Sequence, residues 1–585
     1  MIKNKQQVLT AVWCQHFFAV FFRFAQKIQQ KSTEYQAVFD SYGEDFKIPV
    51  NDLRRYVMKI LRFLLGTIIM LFTVGAKSQE YSMPSEKLMQ VLDNINNYYV
   101  KDIDDRELAD EAILHMMKSL DPHSEYFTKE EAEELMRRLN GSFDGVGLTY
   151  SIPEDTIYVI SLVANGPSEN AGLRRGDRIV RINNENVAGV RITDEQIRDY
   201  LLGESGSTVE LKIKRRGFNK LLKMTVVRAR IHTASISASY LIDENVGFIK
   251  LDKFSQNSDT EFVDSLNVLI KRGAEHLILD LRGNTGGYLG ACVKITDQFF
   301  NRRKLLVYTK GDNSRQSSYE SGYSGIFTSG RLVVLTNSYS ASASEILAGA
   351  VQDLDRGIIL GRRTFGKGLV QRPFILNDGS LMRLTIAKYY TASGRCIQKA
   401  YDEDRDKYSE ELSQRKDCDE KPDSGAVYYT SNNREVYGGG GIYPDICASE
   451  DDQKYSEIYR SVLQSGILYD RVYLHSDKRR NIIAGLYGDL YDFSENYTIA
   501  ASFFKELKEK LPDSISSQLN RTQNLNANDS LHIKALIADN VWGYDSYYRL
   551  INENSYTVTK ALAVINDETS YADLLHGLLA DKVKD

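Results

Sequence analysis

The chain is poor in the side chains that hold metals. Its five cysteines and eight histidines include no CxxC pair, no HxxxH pair and no mixed cluster, so neither a structural zinc site nor a catalytic metal is expected. No cofactor is called for either. A basic excess is also missing: 74 Lys and Arg stand against 79 Asp and Glu, for a net charge of -5 spread along the chain. The short basic run Lys212 to Gly217 sits in strand-like alternation and reads as a solvated face, so no nucleic-acid partner is expected. With Cys14 near the N-terminus set aside, Cys292, Cys396, Cys418 and Cys447 remain, and their pairing stays open.

Also lacking near the N-terminus is an apolar run long enough to span a bilayer. From Met58 the chain reads MKILRFLLGTIIMLFTVGAKSQE. Lys59 and Arg62 precede an uncharged run from Phe63 to Ala76, short of the ~20 residues a span needs. Ala76 and Ser78 follow with signal-peptidase spacing. The expectation is a signal peptide over 58–78, cleaved after Ser78, with 1–57 an upstream extension and export to the periplasm. An uncleaved segment acting as a membrane tether is the alternative.

Length then suggests modules, since domains run to roughly 150 residues each. Apolar spacing of three and four predicts helices over Ser85 to Val100, Asp105 to Leu120 and Thr128 to Leu139, the last opened by a Thr128/Glu131 capping box. This gives a helical N-terminal region, 79–142. Alternating strands follow at Gly145 to Ile152, Asp155 to Val163, Asp177 to Asn184 and Ser207 to Gly217, with one helix, Thr193 to Gly203, between them. From about Ile231 the pattern becomes strand, helix, strand: Asn245 to Phe254, Ser258 to Gly273, His276 to Asn284, and then Arg331 to Ser340. The expected fold is multidomain α+β, with an antiparallel domain at 143–230, an α/β core at 231–448 and a helical C-terminal region at 449–585. No internal repeat is evident.

The chemistry concentrates in SYSASASEILAGAVQDLDRGIILGRRTFGKGLVQ. A helix begins near Ser342, directly after a strand, where free backbone N–H groups at the positive helix end can hold an oxyanion. The plain reading is that Ser342 and Glu345 are only a capping box. No histidine is near in sequence, but Lys367 lies between two apolar segments, and burial can lower a lysine pKa far enough for it to act as a base. On a strand Gln371 faces the same way as Lys367 and can orient its amine. The stretch Gly361 to Gly368 nearly matches a phosphate loop, but it lacks the final hydroxyl residue and continues into strand rather than helix, which argues against nucleotide binding.

These residues resemble the Ser/Lys-dyad carboxyl-terminal processing proteases. The resemblance extends through LDPHSEYFT, DGVGLTY, NGPSENAGLRRGDRIVRIN, DLRGNTGG, YYTASGRCIQ and GGGIYPDI, over roughly residues 80–448. It implies a PDZ domain inserted before a crotonase-like protease core, with Ser342 as nucleophile, Lys367 as general base and Gln371 positioning the lysine. It also implies an oxyanion hole made by Ala343 with Gly286 or Gly287, and a carboxylate-binding loop at Gly145, Val146, Gly147 and Leu148. Protein substrates with exposed apolar C-termini are the implied partners, and a homo-oligomer or adaptor is compatible with the family. Thr285 and Cys396 stand where the family usually has proline and serine, at positions that do no chemistry. The main rival is a non-catalytic PDZ scaffold binding protein C-termini; an acyl-transfer protein on the same core fold leaves the PDZ-like insert unexplained.

Overall fold

The computed structural model describes residues 83–401, 408, 410–412, 415, 426–448, 455–521 and 525–578. The expected signal segment, the stretch 1–57 and Cys418 lie outside the described residues. Of the other cysteines, Cys292 and Cys396 are free thiols and Cys447 is disulfide-bonded.

The chain divides near Asp105 into two units. The first contains the helix Met83–Tyr98, where the apolar spacing predicts it. In the second, Thr128 opens the helix Lys129–Asn140: its Oγ1 accepts the Glu131 N–H and the Glu131 carboxylate accepts the Thr128 N–H at 2.9 Å. Gly141 ends that helix at φ +61, and a Cβ there would stand 2.7 Å from Ser255, so glycine lets the chain lie against its neighbour.

One element of the N-terminal region is a strand that periodicity does not show. Asp121 takes hydrogen bonds from the N–H groups of His123 and Ser124 and from Ser124 Oγ, which turns the chain out of the preceding helix. Glu125–Phe127 then pairs antiparallel with Leu381 to Arg383. The reading of 79–142 as purely helical therefore misses a strand fixed by a long-range partner, a contact that local pattern cannot report.

The antiparallel domain has five main strands in the order Leu148–Ser151, Ile157–Leu162, Arg178–Ile182, Thr208–Lys214, Leu222–Val227. Alternation produces its core: Ile157, Val159, Ile179, Val209, Leu211 and Ile213 are almost fully buried. Leu148–Ser151 pairs on one side only, so it is a sheet edge. The strand expected from Gly145 to Ile152 is broken at Val146 and Gly147, where Gly147 takes φ +71. Upstream of the break, Ser142–Gly145 pairs with Ala229–His232 in a two-stranded ribbon through which the chain enters and leaves the domain.

The core sheet has six strands in the order Ile236–Asp243, Val246–Leu251, His276–Asp280, Leu332–Thr336, Ile358–Gly361, Ile446–Cys447. The first pair is antiparallel and the others are parallel. Its strands read as continuous apolar runs because both faces are covered. Leu277, Leu279 and Val334 face the helices Ser258–Lys271, Leu289–Asp297 and Ala343–Asp353. Their neighbours Ile278, Val333 and Leu335 face Val558, Ala561 and Ile565 from the C-terminal helices. A second sheet joins Leu305–Gly311, Ser314–Glu320, Leu369–Ile375 and Leu381–Thr391 to Glu125–Phe127.

The C-terminal helices touch both preceding domains. Tyr473 donates to the Val159 carbonyl at 2.7 Å and its ring meets Tyr158 edge-on. At the other end, buried Tyr571 donates to the Leu332 carbonyl at 3.0 Å and accepts the Leu332 N–H at 2.9 Å, capping the start of an interior core strand. Tyr571→Phe leaves both groups unpaired, and urea unfolding is expected to show a loss of about 1–3 kcal/mol. An unchanged midpoint would show that the helices do not depend on this tether.

Candidate active site

The strand Leu332–Thr336 runs into a tight corner that starts the helix Ala343–Asp353, with Ser342 as its N-cap. Ser342 sits at φ +56 and ψ -112, a strained conformation for a residue with a side chain and one that concentrates at functional sites. The flanking serines are occupied. Ser340 Oγ donates to the Leu281 carbonyl and Ser344 Oγ to the Asn284 carbonyl, each at 2.8 Å, and both are fully buried. Ser342 is partly exposed.

Glu345 joins this corner to the segment that carries the lysine. Fully buried, its carboxylate accepts the N–H groups of Ser342 at 2.8 Å, Gly366 at 2.7 Å and Lys367 at 2.9 Å, and the Thr364 hydroxyl at 2.6 Å. Burial pushes this carboxyl up to about 7, against the pull of its four donors. Half of the expected capping box is thus formed, since the Glu345 N–H goes to the Ser342 carbonyl at 2.9 Å rather than to its hydroxyl, and the same carboxylate fixes the backbone of Lys367 relative to that of Ser342.

Lys367 lies just before the strand Leu369–Ile375 rather than within it, because Glu345 draws the Gly366 and Lys367 N–H groups away from strand pairing. Its Nζ nevertheless donates to Gln371 Oε1 at 2.8 Å. A register shift between Val370 and Gln371 interrupts simple alternation, so the pairing of these two side chains comes from the local bend. The Gln371 amide donates in turn to the His123 carbonyl, which leaves its oxygen for the lysine. Burial, then the nearby Arg383 guanidinium, lowers Lys367 to about 8, with Glu125, Glu345 and Asp121 pulling the other way. His123 adds no competing charge: burial and the Lys367 charge lower it to about 3, and its Nε2 meets the Tyr408 hydroxyl at 2.8 Å.

Opposite the serine stands the turn after His276–Asp280. A Cβ on Gly286 would lie 2.9 Å from both Ala343 N and Ser342 Cβ, so only glycine permits this approach. The Gly286 N–H is spent on Asn284 Oδ1 at 2.9 Å, whereas Gly287 is exposed. The backbone of Phe254 clamps the turn, its N–H donating to the Gly286 carbonyl and its carbonyl accepting from Tyr288.

A second site lies in the antiparallel domain. Between the edge strand Leu148–Ser151 and the helix Asp194–Leu201 is a cavity of about 320 Å³, lined on its apolar side by Phe143, Val146, Gly147, Leu148, Leu201 and Leu202. Gly145 bridges to Leu202 at its base, and the Tyr150 hydroxyl reaches the Asp194 carbonyl at its far end. Among the described residues no group of three or more His, Cys, Asp or Glu stands together to hold a metal ion.

Comparison with known proteins agrees with this arrangement. The profile of Peptidase family S41 matches residues 245–405 and that of the PDZ domain matches residues 158–215. The carboxy-terminal processing protease CtpA of Bacillus subtilis is 30% identical over 59% of this chain and 75% of its own length. The carboxy-terminal-processing protease of Bartonella bacilliformis is 30% identical over 58% of this chain and 80% of its own length. The chain belongs to the carboxy-terminal processing proteases. The S41 match and these relatives place it among the serine-type peptidases. It spans 65% of the length of a further relative, CtpB of Bacillus subtilis, at 33% identity over 54% of this chain. Among solved structures, the photosystem II D1 C-terminal processing protease matches at 30% identity and a TM-score of 0.30, over 51% of this chain and 81% of that one.

In this protease three contributors escape sequence reading. Asp121 and His123 lie in a recognisable motif, but their service to the lysine needs the long-range strand pairing to appear. Glu345 shows only as a cap, and nothing local reveals that it also receives Gly366 and Lys367. Glu345→Ala strips four buried or half-buried donors of their acceptor, and a loss of about 3 kcal/mol or more in denaturant unfolding is expected. Wild-type stability in that variant would show that water replaces the carboxylate.

Proposed function

We propose that this protease cleaves protein substrates through a dyad of Ser342 and Lys367, fed by C-terminal tails captured in the PDZ groove. The observation that carries the reading is Glu345, which holds the backbones of both residues through one buried carboxylate, while the pKa of Lys367 is lowered to about 8. Neutral Lys367 takes the proton from Ser342 Oγ as the oxygen bonds to the substrate carbonyl carbon. Negative charge then develops on the carbonyl oxygen, where the Ala343 and Gly287 N–H groups stand as donors. The lysinium gives its proton to the leaving amine as the C–N bond breaks, leaving an ester on Ser342. Water, deprotonated by the same lysine, attacks that ester, and the proton returns to Ser342 Oγ as the new carboxylate leaves.

Gln371 acts as the positioning residue for the amine. In the arrangement described Nζ donates to Gln371 Oε1 and not to Ser342 Oγ, so Nζ must turn toward Ser342 Oγ before the chemistry. The PDZ domain over 143–230, a crotonase-like core over 231–448, and export through the segment 58–78 complete this reading. A tail enters as an added strand on Leu148–Ser151, with its carboxylate at the Gly145 to Leu148 loop.

The test is degradation of a model protein with an unstructured apolar C-terminal tail, followed by intact mass. Wild type is expected to digest it from the tail, while Ser342→Ala and Lys367→Ala do not. Cleavage by Ser342→Ala overturns the nucleophile, and an intact substrate in all three favours a binding scaffold. Because the neutral amine is the reactive form, kcat/KM is expected to rise with pH through about 8. A profile flat from pH 6 to 9 contradicts a lysine base.

A further inference from the structure

We infer that the PDZ groove selects tails that carry an acidic side chain two residues before an apolar C-terminal residue, and that Glu134 of the protease's own chain occupies the acidic subsite until such a tail arrives. The inference rests on the reading of the groove as a peptide site and names the class of tail it takes.

The groove's polar side is strongly one-signed. Arg137, Arg138, Arg198 and Lys253 line it against one carboxylate, Glu134. Glu134 comes from the helix Lys129–Asn140, outside the antiparallel domain, and faces all three arginines: Arg138 at 2.6 Å, Arg137 at 3.6 Å and Arg198 at 3.7 Å. The hydrogen bond from Arg138 and the charges of the other two keep it ionised, below the usual carboxylate range. Three arginines on one carboxylate leave cationic capacity that a second carboxylate can use.

The geometry sets which tail residue supplies that second carboxylate. The C-terminal end of the groove helix is tied to the entry ribbon, with Gly203 N–H on the Asp144 carbonyl and Leu202 bridged to Gly145. Its N-terminal end faces Tyr150. A tail added antiparallel to Leu148–Ser151 therefore puts its terminal side chain near Leu201 and Leu202 and runs toward Asp194. Side chains two apart on a strand share a face at about 6.6 Å separation, and residues three apart on a helix are neighbours at about 5 Å. Arg198 is three residues from Leu201, so the side chain two before the terminus meets Arg198. Glu134 and its arginines are about a third exposed or more, and such pairs contribute little individually. Exchanging Glu134 for a ligand carboxylate on Arg198 thus costs little.

The experiment uses the full chain carrying Ser342→Ala and labelled ten-residue peptides ending in Glu-Ala-Leu, Ala-Ala-Leu or Lys-Ala-Leu, with an amidated Glu-Ala-Leu control, read by fluorescence anisotropy. The Glu peptide is expected to bind about fivefold tighter than the Ala peptide, with the Lys peptide weakest. Arg198→Ala is expected to erase that order, Arg198→Glu to reverse it, and Glu134→Gln to tighten the Glu peptide severalfold. Equal binding of the three free-acid peptides overturns the acidic subsite while the groove reading stands. An unchanged affinity in Glu134→Gln overturns its role as internal occupant. No binding by any peptide, or binding undiminished by the amide, overturns the capture reading on which the inference depends.

Discussion

A carboxylate with no access to solvent must find donors or take up a proton. Glu345 finds four, and they come from two stretches of chain more than twenty residues apart: the helix corner at Ser342 and the loop from Thr364 to Lys367. The consequences spread outward. Lys367 leaves the strand it precedes, Gln371 meets its amine, and His123 anchors Gln371. His123 is itself held by the turn at Asp121, which delivers the strand Glu125–Phe127 to the second sheet. An N-terminal segment, a helix cap and a β-strand edge thus share one network around the serine, and polar networks of this kind act as a unit.

The same network separates what local pattern reports from what it does not. Amphipathic periodicity locates the helices at Met83–Tyr98, Lys129–Asn140 and Asp194–Leu201, and two of them carry the capping boxes their sequences announce. Alternation locates the strands of the antiparallel domain, and unbroken apolar runs mark strands covered on both faces. Ser342, Lys367 and Gln371 stand out as candidates in the sequence because residue type, spacing and resemblance agree, and the bond from Lys367 to Gln371 is as expected. Glu125–Phe127 is not legible, since three residues carry no period and their partner lies more than 250 residues away. Nor is the choice between Gly286 and Gly287, which turns on whether Asn284 has already claimed an N–H.

The C-terminal helices and the PDZ groove enter the same account from opposite sides. The helices touch the antiparallel domain through Tyr473 and the core sheet through Tyr571, so they contact both domains. On the groove side, Lys253 lines the cavity while the next residue, Phe254, clamps the Gly286 turn beside Ser342. The cavity lining is therefore one residue along the chain from the backbone that shapes the turn beside Ser342. Proximity of this kind is structural continuity; coupling requires that the two sites bias a common equilibrium.

In the proposed mechanism Ser342 owes its nucleophilicity to Lys367. Labelling with a fluorophosphonate, followed by peptide mass mapping across pH 6 to 9, tests it without needing a natural substrate. The expected result is an adduct on Ser342, formed at a rate that rises through about pH 8 and is lost in Lys367→Ala. An adduct on another serine, or labelling of Lys367→Ala at the wild-type rate, would contradict it.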